Sequence, residues 1–145
     1  MNTLQIPEIG DLLEYSGKDI LSLSIKTPRR ATVTIEPDRL LRTAGYLYKD
    51  MHFRFIIATA IDTGEFIEIL YHFSLDKKGL ILNVRVILDR NKPEVESLTV
   101  FFEAASWIER EMHELFGINF LNHPNLEKLI SDGNWAEGVY PYRKN

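Results

Sequence analysis

The spacing of apolar residues changes twice along this chain, dividing it into a β-rich centre and a helical end. Ala31 to Ile35 (ATVTI) is β-branched and reads as a strand, with a weaker strand signal over Asp19 to Lys26. Pro37 suits the first position of a helix. Leu40, Ala44, Leu47 and Met51 then follow at spacings of four, three and four and give that helix one apolar face. Three alternating runs come next. Phe53 to Ile61 places Phe53, Phe55, Ile57 and Ile61 on one side, and Asp62-Thr63-Gly64 makes a turn. Phe66 to Leu75 places Ile67, Ile69, Tyr71, Phe73 and Leu75 on one side, and Asp76-Lys77-Lys78-Gly79 makes the next turn. Leu80 to Leu88 aligns Leu82, Val84, Val86 and Leu88. Runs joined by short Gly-containing turns predict an antiparallel meander.

Beyond Pro93 the period becomes helical. Ala105, Ile108, Met112, Leu115 and Phe116 form a stripe, and Gly117 is placed to end the helix. After it only a short helix over Leu126 to Ile130 is suggested, within Asn-, Gly- and Pro-rich coil. The expected fold is α+β. It has an antiparallel sheet of about four strands, with helices packed mainly on one face. The expected division is a domain over 1–117 and an extended C-terminal tail over 118–145.

Composition narrows the function. At 145 residues, 45% hydrophobic and 26% charged, the chain has material for one domain with its own core. The net charge of −4, with scattered Lys and Arg, argues against nucleic acid. The chain has no cysteine, so it holds neither disulfides nor cysteine-ligated iron–sulfur or nickel–iron centres. No apolar run approaches the roughly 20 residues that span a bilayer. No basic segment followed by an apolar one opens the sequence, so a cytoplasmic location is expected.

The densest chemistry lies between Trp107 and Pro124. On a helical projection the apolar stripe takes one side, Trp107, Arg110 and Glu114 fall near the opposite side, and Glu109 and Glu111 flank the stripe. Arg110 and Glu114 are four apart and can pair. Trp107 is an aromatic turned away from the core, to be covered by the tail or by another protein, since tryptophan is enriched at binding hot spots. Glu109 and Glu111 have two readings. They are an acid/base pair with raised pKa values, or they accept hydrogen bonds from loop backbone or arginines. The second has more support, because nothing nearby supplies a nucleophile or a cofactor site. Glu109 and His113 have metal-compatible spacing, yet His52, His72 and His123 add no further ligand pattern. No glycine-rich phosphate loop exists among the eight glycines.

Glu109-Arg110-Glu111, Glu114, Leu115-Phe116, Gly117-Ile118, Phe120, His123-Pro124 and Leu126 together resemble the signature of one family. It is the 30-kDa-type subunit (the C subunit) of respiratory complex I, or NADH dehydrogenase, together with the related small subunit of membrane-bound energy-converting [NiFe] hydrogenases. Trp107, two residues before the triplet, also fits. Two features depart from the pattern. Glu127 stands where a basic residue is usual, with Lys128 next. The family's W-x-G-x-P-x-R-K ending is only echoed, by Trp135, Gly138, Pro141, Arg143 and Lys144. The chain's length favours a compact relative of the hydrogenase or ferredoxin-linked kind.

The resemblance implies a cofactor-free accessory subunit in the peripheral arm of a membrane-attached, ion-translocating electron-transfer complex. It implies packing against a large catalytic subunit, with iron–sulfur clusters and any nickel–iron centre on partner subunits and the membrane subunits engaged indirectly. The complex would sit on the cytoplasmic face of the membrane. The residues it points to are Trp107, Glu109, Arg110, Glu111, Glu114, Phe116, Gly117, His123, Pro124, Trp135 and Arg143, in binding and structural roles. The tail is then expected to order along the partner. Two other readings remain. One is a small acid/base enzyme using Glu109 or Glu111 with His113 or His123. The other is a free-standing interaction adaptor.

Overall fold

The meander predicted from alternation forms the centre of the molecule. A computed structural model describes residues 6–126 and 140–144. β1 (Ile20–Thr27) and β2 (Arg30–Ile35) form a hairpin, and β3 (Arg54–Asp62), β4 (Phe66–Leu75) and β5 (Leu80–Asp89) form the meander. The five strands make one sheet in the order β1-β2-β5-β4-β3. β2 and β5 run parallel, whereas the other pairs are antiparallel. The α+β expectation therefore holds, but the sheet is mixed and five-stranded. The helix between β2 and β3 carries the chain across the sheet, so the meander returns beside β2 in the parallel sense.

Among the described residues three α-helices accompany the sheet: α1 (Pro7–Ser16), α2 (Leu40–Gly45) and α3 (Ala105–Phe116). A 3₁₀ turn over Pro37–Arg39 leads into α2, and one π-helical turn over Tyr46–Asp50 extends it. Ile9, Leu12, Leu40, Ala44, Leu47, Met112 and Leu115 join the inward residues of the strands in one core. Along β4 and β5 buried residues alternate with half-buried ones, so one sheet face is covered and the other is open. Each core Leu, Ile or Phe taken fully from water contributes on the order of 1.5–3 kcal/mol. A short parallel pair, β6 (Glu94–Glu96) with β7 (Asn119–Leu121), brings the chain after α3 back onto the body and buries Ile118 and Phe120.

The open face carries a polar ladder that crosses four strands. His72 Nδ1 lies 2.7 Å from Asn83 Oδ1, its Nε2 lies 3.1 Å from Thr59 Oγ1, and Asn83 donates to Thr32 Oγ1 at 3.3 Å. Because the Asn83 amide oxygen can only accept, His72 Nδ1 is the donor of that bond.

β3 departs from the expected facing. Phe53 and Phe55 point inward, but an irregularity between Phe55 and Ile57 shifts the register, so Ile57 pairs with the outward His72. One extra residue inverts all later positions of a period-two strand. Ala58 and Ala60 therefore face inward, while Ile57 and Ile61 are 45% and 49% exposed.

Candidate functional site

The site is α3 with the loops that it holds. α3 ends at Gly117, which adopts φ 77° and donates its N–H to the His113 carbonyl at 2.9 Å. An L residue is disfavoured in that left-handed conformation. A Cβ there would also come within 2.7 Å of the Tyr140 ring. Residues 140–144 close this helix end. The Tyr142 N–H donates to the Leu115 carbonyl at 3.0 Å, and Arg143 Nε donates to the Phe116 carbonyl at 2.7 Å. The Tyr142 ring meets Phe116 edge-on with centroids 5.7 Å apart. Two terminal carbonyls that lack intrahelical partners are thus satisfied. The Lys144 N–H donates to Asp62 Oδ2 at 2.7 Å, and Arg90 forks onto the same carboxylate at 3.0–3.1 Å. Arg90 also donates to the Lys144 carbonyl. Burial pushes the Asp62 carboxyl up, but Arg90 and the Gly64 and Lys144 N–H groups outweigh it and hold it at about 2.

Glu109 points into the protein and is 1% exposed. Its carboxylate accepts from Ser97 Oγ at 2.6 Å and from the Leu98 N–H at 2.8 Å. It therefore clamps the loop that follows β6, which is the loop-backbone role weighed from the sequence. Burial nevertheless raises its pKa from 4.5 to about 7, because the two hydrogen bonds offset the desolvation only in part. The His123 imidazole is closed to solvent, with Nε2 3.8 Å from Glu109 Oε1. Nε2 lies 3.2 Å from the Ser106 carbonyl and Nδ1 accepts the Asn125 N–H at 2.9 Å. These partners call for a neutral ring protonated on Nε2. Burial also lowers its pKa, helped by the nearby charges of Arg110 and His113. Tyr71, on the inner face of β4, is fully buried, and its hydroxyl has no hydrogen-bond partner among the described residues. Burial, and then the charge of Glu109, hold its pKa well above the usual range.

The other residues singled out in the sequence separate by direction. Glu114, expected on the side of the helix away from the core, is instead buried, as is Phe116, and Arg110, Gly117 and Arg143 are half-buried. Trp107 is 61% exposed, so the described residues after α3 leave it open, and the Arg110 guanidinium lies 5.3 Å from its ring centroid. Glu111 is exposed, unlike Glu109, and makes no hydrogen bond or ion pair among the described residues. His113 Nδ1 lies 2.8 Å from the Ile118 carbonyl, to which it donates. Pro124 is exposed. Trp135 and most of the helix suggested over Leu126 to Ile130 lie outside the described residues. The structure thus gathers Glu109, His123, Phe116, Gly117 and Arg143 around one helix and leaves Trp107 and Glu111 facing outward.

The sequence pattern places Tyr71 in the core and Asp62 in a turn, but not the Asp62–Arg90 pair, the charge of Glu109 felt at Tyr71, or Ser97 and Leu98. The Ser97-Leu98-Thr99 step after a β-like Glu94–Glu96 stretch is the available signal. Among the described residues no group of three His, Cys, Asp or Glu is arranged to hold a metal. No described helix is long and apolar enough to cross a membrane. Among the described residues the side chains of Glu109 and His123 are closed to solvent and bonded to backbone, Glu109 to the loop after β6 and His123 to Ser106 and Asn125.

The geometry is that of an α+β body in which a buried carboxylate on α3 holds the loop after β6. Residues 33–145 match the family model of the respiratory-chain NADH dehydrogenase 30 Kd subunit, and the chain belongs to this family of C subunits of complex I-like respiratory complexes. It is 30% identical over 129 residues to the C subunit of the F(420)H(2) dehydrogenase of Methanosarcina mazei, covering 87% of this chain and 81% of that one. It is 28% identical over 151 residues to the C/D subunit of an NADH-quinone oxidoreductase of Erwinia tasmaniensis, covering 96% of this chain and 25% of that longer one. Its fold matches a chain in the structure of the membrane-bound sulfane sulfur reductase, an archaeal respiratory membrane complex. The TM-score is 0.82, with 22% identity and coverage of 94% of this chain and 82% of that one.

Proposed function

We propose that this chain is a cofactor-free accessory subunit in the peripheral arm of a membrane-attached, ion-translocating electron-transfer complex. The complex is of the NADH or ferredoxin oxidoreductase type or of the energy-converting hydrogenase type. In this reading the chain packs against the large catalytic subunit on the cytoplasmic face of the membrane, and iron–sulfur subunits lie nearby. The observation that carries it is the outward half of α3. Trp107, left uncovered by the described residues beside the exposed carboxylate of Glu111, has the exposure and chemistry of an interface anchor. The relative from Erwinia tasmaniensis, whose C part continues into a D part in one chain, supports a large subunit of the D kind as that partner. The C-terminal stretch, with Trp135, joins the interface in this reading, and residues 140–144 tie the end of the chain to α3 and Asp62.

The test is affinity purification of the tagged chain from its native membranes in mild detergent, with mass spectrometry of the co-purifying chains. Recovery of a large subunit with iron–sulfur and membrane subunits is expected, and a cysteine-ligated nickel–iron site on that subunit would mark the hydrogenase type. Recovery of the chain alone would overturn the reading.

A further inference from the structure

β3 is an edge strand, and its middle is unlike a protected edge. From Phe55 to Ile61 it carries neither charge nor proline, two of the devices that keep sheet edges from pairing, and its one bulge lies at the start of this stretch. Among the described residues no backbone bond reaches its free side. Beside that edge runs a groove of about 240 Å³. One wall is the strand itself, with the small inward residues Ala58 and Ala60. The other is α3, with Ile108, Met112 and Leu115, and Glu111 stands on its rim. The groove exists because the bulge turns the isoleucines of β3 outward and the alanines inward. Exposed apolar surface concentrates at the same edge, with Ile57 and Ile61 on the outer side and Phe66, 47% exposed, at the start of β4. The rest of the open face is occupied by the Thr59–His72–Asn83–Thr32 ladder and by Arg85 bonded to Thr34.

We infer that the free edge of β3 and the groove along α3 receive an extended segment of the large partner subunit as a sixth strand of the sheet. The inference rests on the functional reading above. The occupant is defined by chemistry. Its backbone bonds β3, its alternate apolar side chains enter between Ala58 or Ala60 and Ile108 or Leu115, and the intervening ones cover Ile57 and Ile61. A lysine or arginine in it answers Glu111, which has no polar partner among the described residues. Trp107, one turn before Glu111 on α3 and outside the groove's lining, packs against the same partner.

Hydrogen exchange measured on the chain alone and on the complex purified from membranes tests the inference. Amides over 56–61 are expected to exchange at least tenfold more slowly in the complex. Glu111→Lys, an exposed change that leaves the fold intact by circular dichroism, is expected to lower retention of the large subunit about tenfold, and Ala60→Trp, which fills the groove, at least as much. A complex that retains the large subunit with unchanged exchange over 56–61 overturns the inference and leaves the functional reading standing. Absence of any large subunit overturns both. Equal protection in the isolated monomer assigns the edge to this chain's own residues, and protection that appears only as the isolated chain dimerises assigns it to a second copy. Either result also overturns the inference.

Discussion

Replacing Glu109 with glutamine separates what the carboxylate does as an acceptor from what its charge costs. The side chain is 1% exposed and its pKa is raised from 4.5 to about 7. A shift of that size corresponds to roughly 3 kcal/mol between the charged and neutral forms. The folded-state pKa lies above the unfolded one, so the stabilisation is fully present below 4.5 and is lost as pH rises through about 7. Between pH 5 and pH 9 this one group should therefore lower the stability of the native chain by about 2–3 kcal/mol. Glu109→Gln keeps an oxygen for the Leu98 N–H and an amide for Ser97 Oγ, and it does not titrate. Its stability relative to wild type is expected to rise by about 2–3 kcal/mol from pH 5 to pH 9, read from urea midpoints by circular dichroism at unchanged slope. Glu109→Ala behaves differently: it leaves the Leu98 N–H and the Ser97 hydroxyl without this acceptor and is destabilising by roughly 2–4 kcal/mol at acidic pH. A wild-type-to-glutamine difference that is flat across this range would refute the claim that desolvation dominates at Glu109.

Three further perturbations probe the rest of the site. Gly117→Ala places a Cβ at φ 77° and 2.7 Å from the Tyr140 ring, so thermal unfolding should show a loss of about 1–2 kcal/mol or more and residues 140–144 should become protease-sensitive. Asp62 is held at about 2, below its ordinary 3.8, so its contribution is present above about 4 and lost as pH falls through about 2. Asp62→Asn should therefore flatten the acid limb of the stability profile and be destabilising by roughly 1–3 kcal/mol at pH 7, as measured by denaturant titration at several pH values. Trp107→Ala should change the stability of the isolated chain by no more than about 0.5 kcal/mol. The same variant should weaken association with the large subunit by roughly 2 kcal/mol or more, measured by calorimetry or quantitative pull-down. A variant that folds and still assembles with wild-type affinity would remove Trp107 from the interface.

The elements legible in the sequence are those whose period is clean. β4 and β5 alternate without interruption, and both lie where the pattern puts them. α3 carries a stripe and a glycine stop and ends where expected. α1 escapes the pattern because Ile9 and Leu12 are its only fully buried hydrophobics and Gly10 breaks the run. β6 and β7 are three residues each, too short for any period to register. The parallel pairing of β2 with β5 depends on where the connecting helix crosses, which no local pattern encodes. β3 shows the sharpest limit. Its composition announces a strand, but the bulge after Phe55 reassigns Ile57 and Ile61 from core to surface. In the site, Glu109 and Glu111 look alike as carboxylates beside an apolar stripe. Their opposite fates depend on the 97–99 loop, which approaches only one of them.

That divergence accounts physically for two kinds of residue within one signature. Glu109, Phe116, Gly117 and His123 act within the chain. They fix the loop after β6, the end of α3 and the return of residues 140–144, and so set the orientation of α3 on the sheet. Trp107 and Glu111 gain little within the described residues, since one is exposed and the other has no polar partner there. An exposed tryptophan next to an apolar sheet edge is a liability for a protein that stays alone, because both favour association. The inward residues hold that helix and that edge in fixed register, so a partner of the proposed kind would meet a surface already in place, at a reduced ordering cost of binding. Loosening the clamp should therefore weaken assembly even though Glu109, being buried, is out of a partner's reach. Glu109→Ala should lower large-subunit retention at a temperature where its fold survives, whereas Glu109→Gln should retain it. Equal retention by both would mean that the outward face does not depend on the buried one.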